Sequence, residues 1–138
     1  MANPNIVGVS TITLENSLTN ISSETTTTIL SAVSTGSVVR LKEVRVSENS
    51  ALPAAPTSSP YESTVDDDNP LYVTLNYDNG TAYPIVSKHH IPLCSTAVIF
   101  SGVFHVKEGH SITITTGDDD NIPATLDATV AVTYEVLS

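Results

Sequence analysis

The chain of 138 residues and 14.5 kDa has the length of one domain, and its net charge of −10 with only five basic residues excludes the clustered lysine and arginine that phosphate backbones require. With no tryptophan, one methionine and two phenylalanines, its core must come from valine, isoleucine, leucine and five tyrosines. Threonine and serine make up about a quarter of the residues, a composition that suits pleated, half-buried surfaces.

In chain order, period-two alternation recurs between turn residues and no helical periodicity appears, which predicts an all-β chain. The first predicted strand is Ile6 to Leu14, followed by a polar bend at "ENSLTN" and a second strand from Thr25 to Val33. In "VVRLKEVRVSE", Val39 and Leu41 share one parity and Val44 and Val46 the other, so the inward face switches near Lys42 and Glu43 through a bulge or twist. Arg40 and Lys42 then read as a solvated strand face. Asn49 to Pro70 follows with four prolines and no periodicity, and is expected to form an extended arm or contact loop.

"LYVTLNY" alternates cleanly, with Leu71, Val73, Leu75 and Tyr77 on one face, and "DNG" at Asp78 to Gly80 is a hairpin signal. Pro84 in the return strand lacks an amide proton, which predicts an edge position. "LCSTAVIFSGVFHV" supplies one or two more strands with a bend at Gly102, and "KEG" turns into "HSITITT" with Ile112 and Ile114 inward. The last strand, "ATVAVTYEVL", puts Val130, Val132, Tyr134 and Val136 on one face. These roughly eight or nine strands predict a single domain over residues 1–138, an antiparallel β-sandwich of jelly-roll type, with an immunoglobulin-like sandwich as the alternative.

No motif carries catalytic chemistry: there is no nucleophile elbow, phosphate-cradling glycine loop or zinc-protease helix, and the protein is not expected to be an enzyme. Two aspartate runs, Asp66, Asp67 and Asp68 in "TVDDDNP" and Asp118, Asp119 and Asp120 in "TGDDDNIP", hold six of the fifteen acidic residues. Neither has the ligand spacing of an EF-hand, although two loops meeting at one end of a sandwich would offer oxygens to calcium. Turn-capping by aspartate and asparagine is the simpler reading, and no metal or other cofactor is expected.

His89, His90, His105 and His110 lack the convergent ligand set of a zinc site, with His105 and His110 flanking the Lys-Glu-Gly turn as candidate cross-strand neighbours. Cys94 has no partner, so no intramolecular disulfide forms, and its place before "AVIF" suits a small core residue. The start "MANPNIVGV" lacks a basic n-region and no apolar run reaches the ~20 residues of a membrane span, so neither export by that route nor membrane insertion is expected. The sequons at Asn20 and Asn79 therefore carry little weight, since glycosylation requires secretory passage.

The opening "MANPNIVGVSTIT", the closing "ATVAVTYEVLS" and the strand, glycine turn and strand of "VKEGHSITIT" resemble small virion structural proteins of tailed phages, notably those of cyanobacteria and other aquatic bacteria. The match at the two ends covers about twenty-five residues; the loop from Asn49 to Pro70 and the aspartate runs depart from it. The resemblance implies a capsid decoration or cement protein, made in the bacterial cytoplasm and carried on the capsid exterior. Its partners would be the major capsid protein and further copies of itself, with a trimer suiting capsid local symmetry. A neck, tail or fibre-associated component fits the same resemblance. A different class, a calcium-assisted glycan or host-surface module, would have to draw its platform from Tyr61, Tyr72, Tyr77, Tyr83 and Tyr134.

If the aspartate runs only punctuate turns, melting scans with calcium and with chelator should give the same midpoint. A rise of several degrees with calcium would establish a metal site.

Overall fold

A computed structural model describes residues 12–21, 25–48, 71–92, 95–116 and 128–137. They form eight strands: β1 (Ile12–Ile21), β2 (Thr26–Leu30), β3 (Val38–Glu48), β4 (Leu71–Asp78), β5 (Ala82–Ile91), β6 (Thr96–Val106), β7 (Ser111–Thr116) and β8 (Ala128–Leu137). Two four-stranded antiparallel sheets pack face to face, ordered β1-β8-β3-β6 and β2-β7-β4-β5.

The pairings β1 with β8, β2 with β7, β3 with β6 and β4 with β5 nest inside one another around the β4–β5 turn. The chain is thus one long hairpin rolled up, and β3 with β8 and β4 with β7 pair where the roll meets itself. This is the jelly-roll topology. An immunoglobulin-like sandwich is excluded because only β4 and β5, among consecutive strands, lie in the same sheet.

The layer between the sheets is aliphatic. Leu41, Val44 and Val46 of β3, Val130 and Val132 of β8, Val73 and Leu75 of β4, and Ile112 and Ile114 of β7 are buried. Among the described residues no aromatic side chain reaches this layer completely; Tyr77, Phe100, Phe104 and Tyr134 pack against its margin. The expected alternation in β4, β7 and β8 is therefore present, and each buried aliphatic side chain contributes about 1.5–3 kcal/mol relative to exposure.

Irregularities fall where the sequence signals them. The register of β3 shifts between Leu41 and Glu43 against both neighbours, which moves the inward parity from Val39 and Leu41 to Val44 and Val46. Gly102 of β6 faces this shift with φ +149, so the predicted bend is a kink within one strand. Asn79, Gly80 and Thr81 close the β4–β5 hairpin, where Gly80 takes φ +103 and its amide donates to Asp78 Oδ1 at 2.8 Å. Pro84 lies on β5, an edge strand, as its missing donor requires. On the same strand Lys88 is left-handed, φ 47, and donates its amide to Thr74 Oγ1 at 3.1 Å.

Two expectations are corrected. The first strand does not end at Leu14: β1 runs straight through "ENSLTN" to Ile21. Those polar residues find cross-strand partners instead of bending, with Thr133 donating to Asn16 Oδ1 at 2.9 Å and Thr129 to Asn20 Oδ1 at 3.3 Å. His105 and His110 are not cross-strand neighbours, because the turn between them passes from one sheet to the other. The predicted arm at 49–70 lies outside the described residues.

Leu75→Ala, in the centre of the aliphatic layer, should lower unfolding free energy in urea by about 3 kcal/mol. Thr113→Val should leave it unchanged or raise it by about 1 kcal/mol, since the buried Thr113 hydroxyl has no hydrogen-bond partner.

Candidate interaction surface

The two outer faces of the sandwich differ in chemistry. On the β2-β7-β4-β5 sheet the outward positions are mostly hydroxyls and amides: Thr26 and Thr28 beside Thr115 and Thr113, which in turn face Thr74 and Asn76. Several of them bond to one another, with Thr26 and Thr115 hydroxyls 2.9 Å apart and Asn76 Nδ2 donating to Thr115 Oγ1 at 3.2 Å, while the Thr113 hydroxyl is buried without a partner.

On the β1-β8-β3-β6 sheet, the register sets outward residues in rows. Ile12, Leu137 and Val38 adjoin at one end, and Leu14, Glu135, Arg40 and His105 make the next row. Farther along, Leu18, Ala131, Arg45 and Val98 share a row. The polar members of the face bond within it: Arg40 Nη1 donates to Glu135 Oε2 at 3.0 Å, Arg45 Nη2 to Glu43 Oε1 at 2.9 Å, and the Ser47 and Thr96 hydroxyls lie 2.9 Å apart.

Beside them stand aliphatic side chains. Seven large hydrophobic side chains are exposed among the described residues, and six belong to this sheet: Ile12, Leu14, Leu18, Val38, Val98 and Val103. Leu18 is 76% exposed and Leu14 62%, values that leave most of each side chain in water. Tyr83, on β5, is the seventh. Water penalises such a grouping at about 25 cal/mol per Å² of apolar area, and soluble monomers seldom keep one without a use.

The four histidines do not converge. His105 pairs across the strand with Arg40, and His89 and His90 with Val73 and Tyr72. His110 stands apart from all three: its Nδ1 shares a hydrogen bond with the Tyr77 hydroxyl, and Tyr77 also meets Phe104 edge-on at 5.5 Å. This group pins the β6–β7 turn to β4 and so ties the two sheets together. No cluster of three or more histidine, cysteine, aspartate or glutamate side chains able to hold a metal occurs among the described residues. Asp66 to Asp68, Cys94 and Asp118 to Asp120 lie outside them, as does Tyr61.

A groove of about 370 Å³ opens between the edge strands β1 and β2, lined by Ser17, Thr19, Thr28, Val33, Tyr134 and Val136 among others. Ser17 Oγ donates across it to the Ile29 carbonyl at 3.5 Å. Among the lining residues Tyr134 alone is ionisable, so the groove offers no acid–base pair. No helix among the described residues is long and apolar enough to cross a membrane.

The exposed aliphatic face was hidden in the sequence by the reading of "ENSLTN" as a bend. Leu14 and Leu18 share a parity opposite to Ile21, a signal that becomes legible once the segment is taken as one strand.

No protein-family model matches the sequence, and no curated protein matches it. Among solved structures, a chain from the disulfide-linked pili of Bacillus endospore appendages is similar over 93% of this chain and 88% of that one, with TM-score 0.46 and 11% identity.

Because Arg40 and Glu135 sit in a partly solvated plane, Arg40→Ala should change unfolding free energy by less than about 1 kcal/mol in a thermal or urea titration.

Proposed function

We propose that the protein is a structural component of a tailed-phage particle, most simply a capsid decoration protein that works by surface contact. The observation that carries this reading is the concentration of exposed aliphatic side chains on the β1-β8-β3-β6 face, with its polar groups already bonded to one another. Such a face gains free energy when covered and loses few hydrogen bonds in the process. The groove, lined by hydroxyl and aliphatic groups, favours the same conclusion over a catalytic one. The direction toward a phage particle comes from the resemblance of the two chain ends.

In this role the mechanism is mass action. A protein that binds the assembled lattice and not its loosened form stabilises the shell by the difference in binding free energy. Many weak, equivalent contacts repeated over a shell then add up without any one of them being strong.

Quantitative mass spectrometry of purified particles should find this chain in hundreds of copies. About a dozen copies or fewer would assign it to the neck or tail, and absence from the particle would remove the structural reading altogether.

A further inference from the structure

We infer that the β1-β8-β3-β6 face is covered by the same face of a second copy of this chain, in a two-fold sandwich of sandwiches. The inference rests on the reading of this face as a contact surface and names its partner.

Charge points to self-association here. The chain carries −10 overall, so copies repel one another over most approaches. β3 brings Arg40, Lys42 and Arg45, three of the five basic residues, to or beside this face, against the acids Glu43 and Glu135. Three bases against two acids leave the face one charge positive, so two such acidic molecules meet on it without a like-charge penalty from carboxylates.

Size points the same way. Four strands about 4.8 Å apart and ten residues long at about 3.3 Å each span roughly 600 Å². Two such faces bury about 1,200 Å² together, above the ~1,000 Å² that separates a specific interface from an adventitious one. Sheets pack face to face about 10 Å apart with strands nearly aligned, a geometry that the five short rows of this face can adopt.

An isologous contact must be self-complementary. A two-fold axis running parallel to the strands sets β1 over β6 of the second copy and β8 over its β3. Leu18 then meets Val98, its own row-mate three strands away, and Glu135 meets Arg40. In the Leu18 row aliphatic groups thereby cover one another, in the next described row Leu14 meets His105, and the charged centre pairs with its mirror.

Sedimentation equilibrium on the full chain at about 50 µM, above the dissociation constants usual for interfaces of this size, reads the association directly. Wild type should be dimeric. Leu18→Asp and Val98→Asp should each weaken association at least about thirty-fold, as loss of an anchor residue does. Both side chains are exposed in the single chain, so the far-ultraviolet circular dichroism of each variant should match wild type. Thr28→Asp, on the opposite sheet, adds the same charge and should leave the dimer intact.

In a Cys94→Ser background, Leu18→Cys with Val98→Cys should give a disulfide-linked dimer on mild oxidation. Within one chain the two positions are three strand spacings apart, about 14 Å, beyond a disulfide's reach. A monomeric wild type, a trimer, a dimer indifferent to Leu18→Asp and Val98→Asp, or failure to cross-link would each overturn the two-fold sandwich. A monomer that is still abundant in purified particles would overturn the self-pairing alone and leave the structural role standing.

Discussion

The fold depends on one aliphatic layer trapped between two sheets. β3, β4, β7 and β8 contribute most of it, the other strands add single residues or short pairs, and among the described residues the layer contains no fully buried aromatic ring. Valine, isoleucine and leucine are stiff, compact and free of polar atoms, so they fill the gap between pleated sheets without needing hydrogen-bond partners. The parity switch in β3 shows how strict the requirement is. The strand spends an extra residue between Leu41 and Val44 so that both remain buried on a twisted sheet.

Once the inner faces are committed, the outer faces are free to diverge. One becomes a lattice of threonine and asparagine side chains bonded to one another, polar and largely satisfied. The other mixes aliphatic groups with ion pairs closed within the plane. A hydrophobic group beside a satisfied ion pair is compatible with water and with protein alike, which suits a surface that must exist alone before assembly and covered after it. The strand edges differ too: β5 carries a proline and a bulge that discourage pairing, whereas β1 runs ten residues in unbroken register.

Much of this was legible in the residues. Alternation in β4, β7 and β8, the Asn-Gly hairpin, Pro84 at an edge and the bulge near Lys42 follow from local chemistry, and eight strands with frequent turns lead to a sandwich. The extent of β1 was not legible, because asparagine and threonine in sequence look like a bend. Only the partner strand reveals that Asn16 and Asn20 are held by Thr133 and Thr129, more than a hundred residues away. The separation of His105 from His110 was hidden for a related reason. A tight turn between two strands implies a hairpin by default, and whether it crosses between sheets is decided by how the whole chain rolls. The contact face escaped notice as well, since exposure belongs to the assembled sheet and not to any single segment.

The central place of β8 has a consequence for how the molecule is made. It slots between β1 and β3, and it follows the other seven strands in chain order. Until it emerges, β1 has no hydrogen-bonding neighbour in its own sheet among the described residues, and one side of β3 stays open. This sheet must therefore wait for β8 and then close contacts between segments distant in sequence, a slow route that leaves sticky strand edges exposed in the nascent protein. Premature termination just before Ala128 would yield a product lacking the keystone of one sheet, destined for proteolysis or clumping.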